Sequence, residues 1–211
     1  MSPPGSWLNG AASLVSDASV WINLVATDRA EVILRASSVR HLITSTALGE
    51  LDAGRAKGRR TAAVVAELIE MGLVDEVGLG PVEEATFLSL VAGPVSETLD
   101  DGEAATIAYA LGSGSVALID ERKATALCGS QFPSVKVMST TDLLLSQEVQ
   151  CALTLEDLAD SLFRALSVAR MRVPECHLPA VCGLLGPERR QQCQSLPALW
   201  RRPPDARLAA S

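Results

Sequence analysis

Val116-Ala117-Leu118-Ile119 is an unbroken aliphatic run that stops at Asp120, and it constrains the fold more than any other stretch of the chain. A strand with one wet face alternates apolar and polar residues, whereas a run without alternation suits a strand covered on both faces. Leu14-Val15-Ser16 repeats the arrangement in shorter form and leads directly to Asp17, after which Val20, Leu24 and Val25 follow at helical spacing. His41-Leu42-Ile43-Thr44 reads as a second strand and Val135-Lys136-Val137-Met138 as a last one. Leu73 to Leu79 is a further strand candidate, placed at an edge by Asp75 and Glu76.

Helical segments separate these runs. One starts near Ala47; Thr61 to Met71 is amphipathic and closed by Gly72; Gly80-Pro81 opens another that runs through Leu90. Asp100 or Asp101 caps the next, in which Ala104, Ile107, Ala108 and Leu111 share a face and which Gly112 and Gly114 stop. Glu121 to Cys128 is helical, and Thr140 or Thr141 caps a further helix. Strands alternating with helices predict an α/β fold of three layers, α/β/α, around a central parallel sheet. After about Gln150 the pattern turns purely helical, with Leu155 to Met171 and Leu178 to Leu185. The expected organisation is an α/β domain over 13–150, a helical C-terminal extension over 151–196 packed on or beside it, and flexible ends at 1–12 and 197–211.

Composition narrows the function classes. Aromatic residues make up 3% of the chain, which argues against a stacking platform for single-stranded bases. No apolar run reaches the length of a membrane span, the first dozen residues lack a signal core, and five irregularly spaced cysteines suit reduced thiols, so a cytoplasmic location is expected. The net charge of −7 is unevenly placed: residues 1–159 hold 10 Lys+Arg against 21 Asp+Glu, net −11, and residues 160–211 hold 8 against 4, net +4. An acidic body is unusual for a nucleic-acid binder, unless divalent ions neutralise the carboxylates.

In an open parallel sheet the carboxyl ends of the strands face a common crevice. Asp17 and Asp120 each end a strand and precede a helix, so both point there; Glu103 in the first turn of its helix and Glu50 after the second strand reach the same rim. Four such acids repel one another unless a cation sits among them, and hard oxygen donors suit Mg²⁺ or Mn²⁺. The chemistry that follows is phosphodiester hydrolysis.

These segments resemble the PIN-domain nucleases, in particular the bacterial and archaeal branch near the VapC-type toxins. The resemblance rests on Leu-Val-Ser-Asp17-Ala-Ser19-Val-Trp-Ile22, Ala47-Leu-Gly-Glu50-Leu51, Asp101-Gly-Glu103-Ala-Ala-Thr-Ile-Ala-Tyr-Ala110 and Val-Ala-Leu-Ile-Asp120-Glu-Arg-Lys-Ala124, and covers about residues 13–150. It implies a sheet of five parallel strands and a metal-dependent ribonuclease whose ligands are Asp17, Glu50, Glu103 and Asp120. Ser19 then supports the site through its hydroxyl and Glu121 is a reserve ligand. Many relatives carry Asp where this chain has Glu103. The resemblance also implies an RNA substrate, an antitoxin partner and a homodimer.

Other readings compete. Asp17 and Asp120 serve equally well as plain helix caps, and Glu50 as an exposed helix residue. Arg55, Lys57, Arg59 and Arg60 form a basic cluster suited to RNA phosphates, or simply a solvated loop. Cys176, His177, Cys182 and Cys193 lack the close paired spacing of a zinc site. Gly112-Ser113-Gly114 lies between a helix and a strand and is a helix stop, not a dinucleotide loop. A phosphotransfer site with an acceptor Asp fits poorly, since Ser19 stands where a second Asp is wanted and no paired acids precede Asp17. The alternative to an enzyme is a silent PIN-like binding or regulatory module, for which the basic helical end would supply a partner surface.

Overall fold

The computed structural model describes residues 12–55, 60–94 and 98–201. The first half of the chain runs β1 (Ser13–Ser16), α1 (Ala18–Ala26), α2 (Ala30–Ala36), β2 (Arg40–Thr44), α3 (Ser45–Arg55), α4 (Thr61–Glu70), β3 (Val74–Val77) and α5 (Pro81–Val91). The second half runs α6 (Asp101–Ser113), β4 (Val116–Leu118), α7 (Arg122–Gln131), β5 (Val137–Met138), α8 (Thr140–Leu144), α9 (Gln147–Ala152), α10 (Leu155–Ser167), α11 (Leu178–Gln192) and α12 (Ala198–Arg201), with a single 3₁₀ turn at Glu175–His177.

The five strands form one sheet in the order β3-β2-β1-β4-β5, and every pairing is parallel. Successive side chains of a strand point to opposite faces, and here both faces are apolar. Leu14, Ile43, Val116 and Leu118 enter one core, with α1, α4 and α8 to α11; Val15, Leu42, Ala117 and Ile119 enter the other, with α5, α6 and α7. Two cores on one sheet make three layers, which is why the Val116–Ile119 run shows no alternation. β3 is the expected edge: Asp75 and Glu76 are exposed, and Asp75 pairs with Arg40 at 2.7 Å.

The helical residues after 150 are part of the first core. α10 buries Leu158, Leu162, Ala165 and Leu166 in the cluster that holds Trp21 and Leu24 of α1. Arg164 donates to the Ala26 carbonyl at 3.1 Å, and Arg29 pairs with Asp157 at 2.5 Å across the same seam.

Several boundaries differ from expectation for identifiable reasons. The helix expected from Leu155 to Met171 ends at Ser167, because Arg170 takes a left-handed backbone at φ 58°. The helix expected to end at Leu185 kinks at Gly186, φ 69°, before Pro187, and resumes to Gln192. α8 is capped by Ser139 rather than by Thr140 or Thr141: the Ser139 hydroxyl accepts from the Asp142 N–H at 3.1 Å and Asp142 accepts from the Ser139 N–H at 2.8 Å. The seven-residue α2 matches no helical run marked in the sequence, and at the start of the end expected to be flexible over 197–211, Ala198–Arg201 forms α12. Among the described residues no helix is long and apolar enough to cross a membrane.

Candidate active site

The strand order reverses between β1 and β4. From β1 the chain leaves into α1 on one face of the sheet, and from β4 into α7 on the other, which opens a crevice beyond their carboxyl ends. A pocket of about 610 Å³ occupies it, and Asp17, Glu50, Asp100, Glu103, Asp120 and Glu121 all line it, with Ser19 and Asn23 beside them.

Asp17 follows β1 directly and is the N-cap of α1. Its Oδ2 accepts from the Ser19 N–H at 3.1 Å and from the Ser19 hydroxyl at 2.7 Å. Its Oδ1 is buried and has no hydrogen-bond partner among the described residues. A buried carboxylate oxygen without a donor is costly, and a bound cation removes that cost. Burial, together with the nearby Asp100 charge, raises the Asp17 carboxyl above the usual range in spite of the Ser19 hydrogen bonds.

Glu50 projects from α3 toward the start of α6. Its Oε1 accepts from the Gly102 N–H at 2.7 Å. Burial and the charges of Asp100, Asp17 and Asp101 push its pKa up to about 7, against the Gly102 hydrogen bond. Gly102 has no room for a side chain: a Cβ there would lie 2.5 Å from Glu50 Oε2 and 2.9 Å from Asp17 Oδ1. Asp100 caps α6 by accepting from the Glu103 N–H at 2.9 Å. One carboxylate oxygen from each of Asp17, Glu50 and Asp100 lies within 4.8 Å of the other two.

Glu103 is 6% exposed, and burial followed by the charges of Asp100, Asp17 and Glu121 raises its pKa to about 8. Asp120 stands apart in its bonding. Its Oδ1 accepts from the Thr140 N–H at 2.8 Å; its Oδ2 accepts from Asn23 Nδ2 at 2.6 Å and from the Thr140 hydroxyl at 2.5 Å. Burial still raises its pKa beyond what these donors offset. Glu121 is exposed and caps α7, accepting from the Lys123 N–H at 3.3 Å.

Three cations also line the pocket, Lys123, Arg170 and Arg172. Lys123 Nζ donates to the Thr98 carbonyl, and Arg172 Nη1 donates to the Asp120 carbonyl at 3.1 Å. Of the basic cluster only Arg60 is fully described. Arg60 is exposed and lines a separate groove with residues of α1, α2, α4 and α10; Lys57 and Arg59 fall outside the described residues, and of Arg55 only the backbone, at the end of α3, is described.

In the sequence Asp100 reads only as a cap, because a cap fully explains an Asp before a helix; its closeness to Asp17 and Glu50 has no local signal. Asn23 and Thr140 gave no signal, since their partner is 97 and 20 residues away respectively. Arg172 was missed because the segment carrying it lies outside the strand–helix alternation.

The donor set fits a divalent ion. Three oxygens lie within a common reach, one buried oxygen lacks a donor, and the Gly102 backbone makes the space. Comparison with curated proteins and with solved structures yields no match. A family model described as PIN domain matches residues 13–185, spanning the whole sheet and continuing through α10 into α11. With more than four-fifths of the chain so matched, this protein belongs to the PIN domain family of nucleases.

Proposed function

We propose that the chain is a divalent-metal-dependent endoribonuclease that hydrolyses phosphodiester bonds in the acidic pocket. The observation that carries this reading is the Asp17 carboxylate, which has an unpartnered, buried Oδ1 and offers an oxygen within 4.8 Å of oxygens of Glu50 and Asp100. Asp17, Glu50 and Asp100 would hold the ion, Mg²⁺ or Mn²⁺, with Glu103 and Asp120 beside them. When bound, a divalent ion supplies Lewis acidity toward the phosphate and toward an attacking water.

The protein side chains do the rest. The Ser19 hydroxyl and N–H fix the rotation of the Asp17 carboxylate, and the Gly102 N–H fixes that of Glu50. Glu103 lines the same pocket, where burial and the neighbouring acids raise its carboxyl in the ion-free protein, and a bound cation would draw it back toward the charged form. Asp120 and its Asn23 and Thr140 donors tie α1, the end of β4 and the start of α8 into one rigid wall. RNA as the substrate, a small antitoxin partner and a homodimer rest on the resemblance to VapC-type toxins.

The test is cleavage of labelled RNA and of matched DNA with Mn²⁺ or Mg²⁺, and ion uptake by calorimetry. Asp17→Asn, Glu50→Gln, Asp100→Asn and Glu103→Gln should each lower cleavage by about 100-fold or more with circular dichroism unchanged. Asn at position 17 still caps α1, so loss of activity there is not loss of fold. Wild-type protein that takes up neither ion and cuts neither polymer would overturn the reading in favour of a silent module. DNA cut in preference to RNA would correct the substrate, and light scattering with co-purification checks dimer and antitoxin.

A further inference from the structure

After α10 the backbone turns at Arg170 through the left-handed region, φ 58°. The turn is held by Met171, which is 1% exposed in the first core and whose N–H donates to the Ala165 carbonyl at 3.0 Å. Val173 is buried as well, so burial alternates along the segment: Arg170 and Arg172 are exposed, Met171 and Val173 are not. Both arginines line the acidic pocket. Among the described residues neither forms an ion pair, although six carboxylates line the same pocket. Arg172 is instead anchored through Nη1 to the main-chain carbonyl of Asp120, which leaves the remaining N–H groups of its fork for another acceptor.

A phosphodiester entering a pocket lined by six carboxylates meets strong repulsion, and an ion neutralises only part of it. A planar guanidinium offers two parallel donors to two phosphate oxygens, the geometry this group matches best. We propose that Arg172, assisted by Arg170, binds the non-bridging oxygens of the phosphodiester held in the pocket, an inference that rests on the nuclease reading above. Both arginines of the site then come from the net-basic end of the chain, and its carboxylates from the net-acidic body.

The experiment compares wild type with Arg172→Gln, Arg172→Lys and the double change Arg170→Gln/Arg172→Gln. Gln loses the charge and ends two bonds short of the Nη1 that meets the Asp120 carbonyl, whereas Lys keeps the charge at nearly the full side-chain length. Binding of a fluorescein-labelled single-stranded RNA is followed by anisotropy across a salt series, in an Asp17→Asn background so that the RNA stays whole. R172Q should weaken binding by about 10-fold, and each lost charge should flatten the slope of log affinity against log salt by about 0.7, with R172K near the parent slope. With Asp17 restored and Mn²⁺ present, R172Q should lower kcat/KM by about 100-fold at an unchanged melting temperature.

Parent-like affinity and slope for R172Q overturn the proposal, whether or not the wild type cuts. Equal losses for R172Q and R172K with lowered melting temperatures assign Arg172 to holding the chain together, and also overturn it. The expected binding changes in a protein whose wild type cuts nothing leave the phosphate contact standing and bring down the nuclease reading. Wild type that binds no RNA brings down both.

Discussion

The two oxygens of Asp17 stand in different surroundings. Oδ2 closes the first turn of α1 with Ser19, and Oδ1 is left buried and without a donor among the described residues. A helix cap and an ion ligand are therefore compatible readings of the same side chain, and the choice the sequence posed between them does not arise. Gly102 is the residue that makes the arrangement possible. Its N–H orients Glu50 while its missing side chain leaves the carboxylates where they are. Gly102→Ala should push Glu50 aside by a few tenths of an ångström or more, lowering cleavage by roughly 10- to 100-fold although every acid is retained. Kinetics together with ion calorimetry check this, and a variant with wild-type kcat and ion affinity shows that Glu50 moves freely.

Elements were legible wherever periodicity spoke for itself. The Val116–Ile119 run, the edge acids of β3 and the Gly-Pro start of α5 each state their place in one local window. Residues lining the candidate pocket are legible where a strand ends in an acid, as at Asp17 and Asp120. What stayed hidden depends on contacts between distant elements: Asn23, Thr140 and Arg172 reach Asp120 from α1, α8 and the turn after α10. The cap of α8 was misread for the same reason, since the Thr140 hydroxyl is engaged by Asp120 and Ser139 serves the helix. Thr140→Val should remove one charge-assisted hydrogen bond from a buried carboxylate and destabilise the fold by about 1–3 kcal/mol. Urea unfolding reads the loss, and an unchanged midpoint shows that the Thr140 and Asn23 N–H donors suffice.

Across the whole molecule, the pocket makes stability depend on pH and on ions. Glu50 and Glu103 hold their protons more tightly folded than unfolded, with pKa values moved from 4.5 to about 7 and about 8. Their contribution is fully present below the unfolded value and is lost as pH rises through the folded ones. The melting temperature of ion-free protein should therefore fall as pH is raised from about 5 to about 9, and Glu103→Gln should flatten the upper part of that fall. Added Mn²⁺ should restore the wild type at the alkaline end by binding the folded state alone. A melting temperature that climbs over this range contradicts the burial of these acids.

The pocket is also drawn from residues far apart along the chain, from Asp17 to Arg172. Asp17 and Glu50 come from before residue 94, Asp100 to Glu121 from the next stretch, and Arg172 from a turn seated by α10. Translation makes the chain from its amino end, so a growing polypeptide owns Asp17 and Glu50 long before the wall that faces them exists. α10 must emerge and seat on α1 before Arg172 can take its place over Asp120. No ribosome-bound fragment that stops before Arg172 assembles the complete cavity.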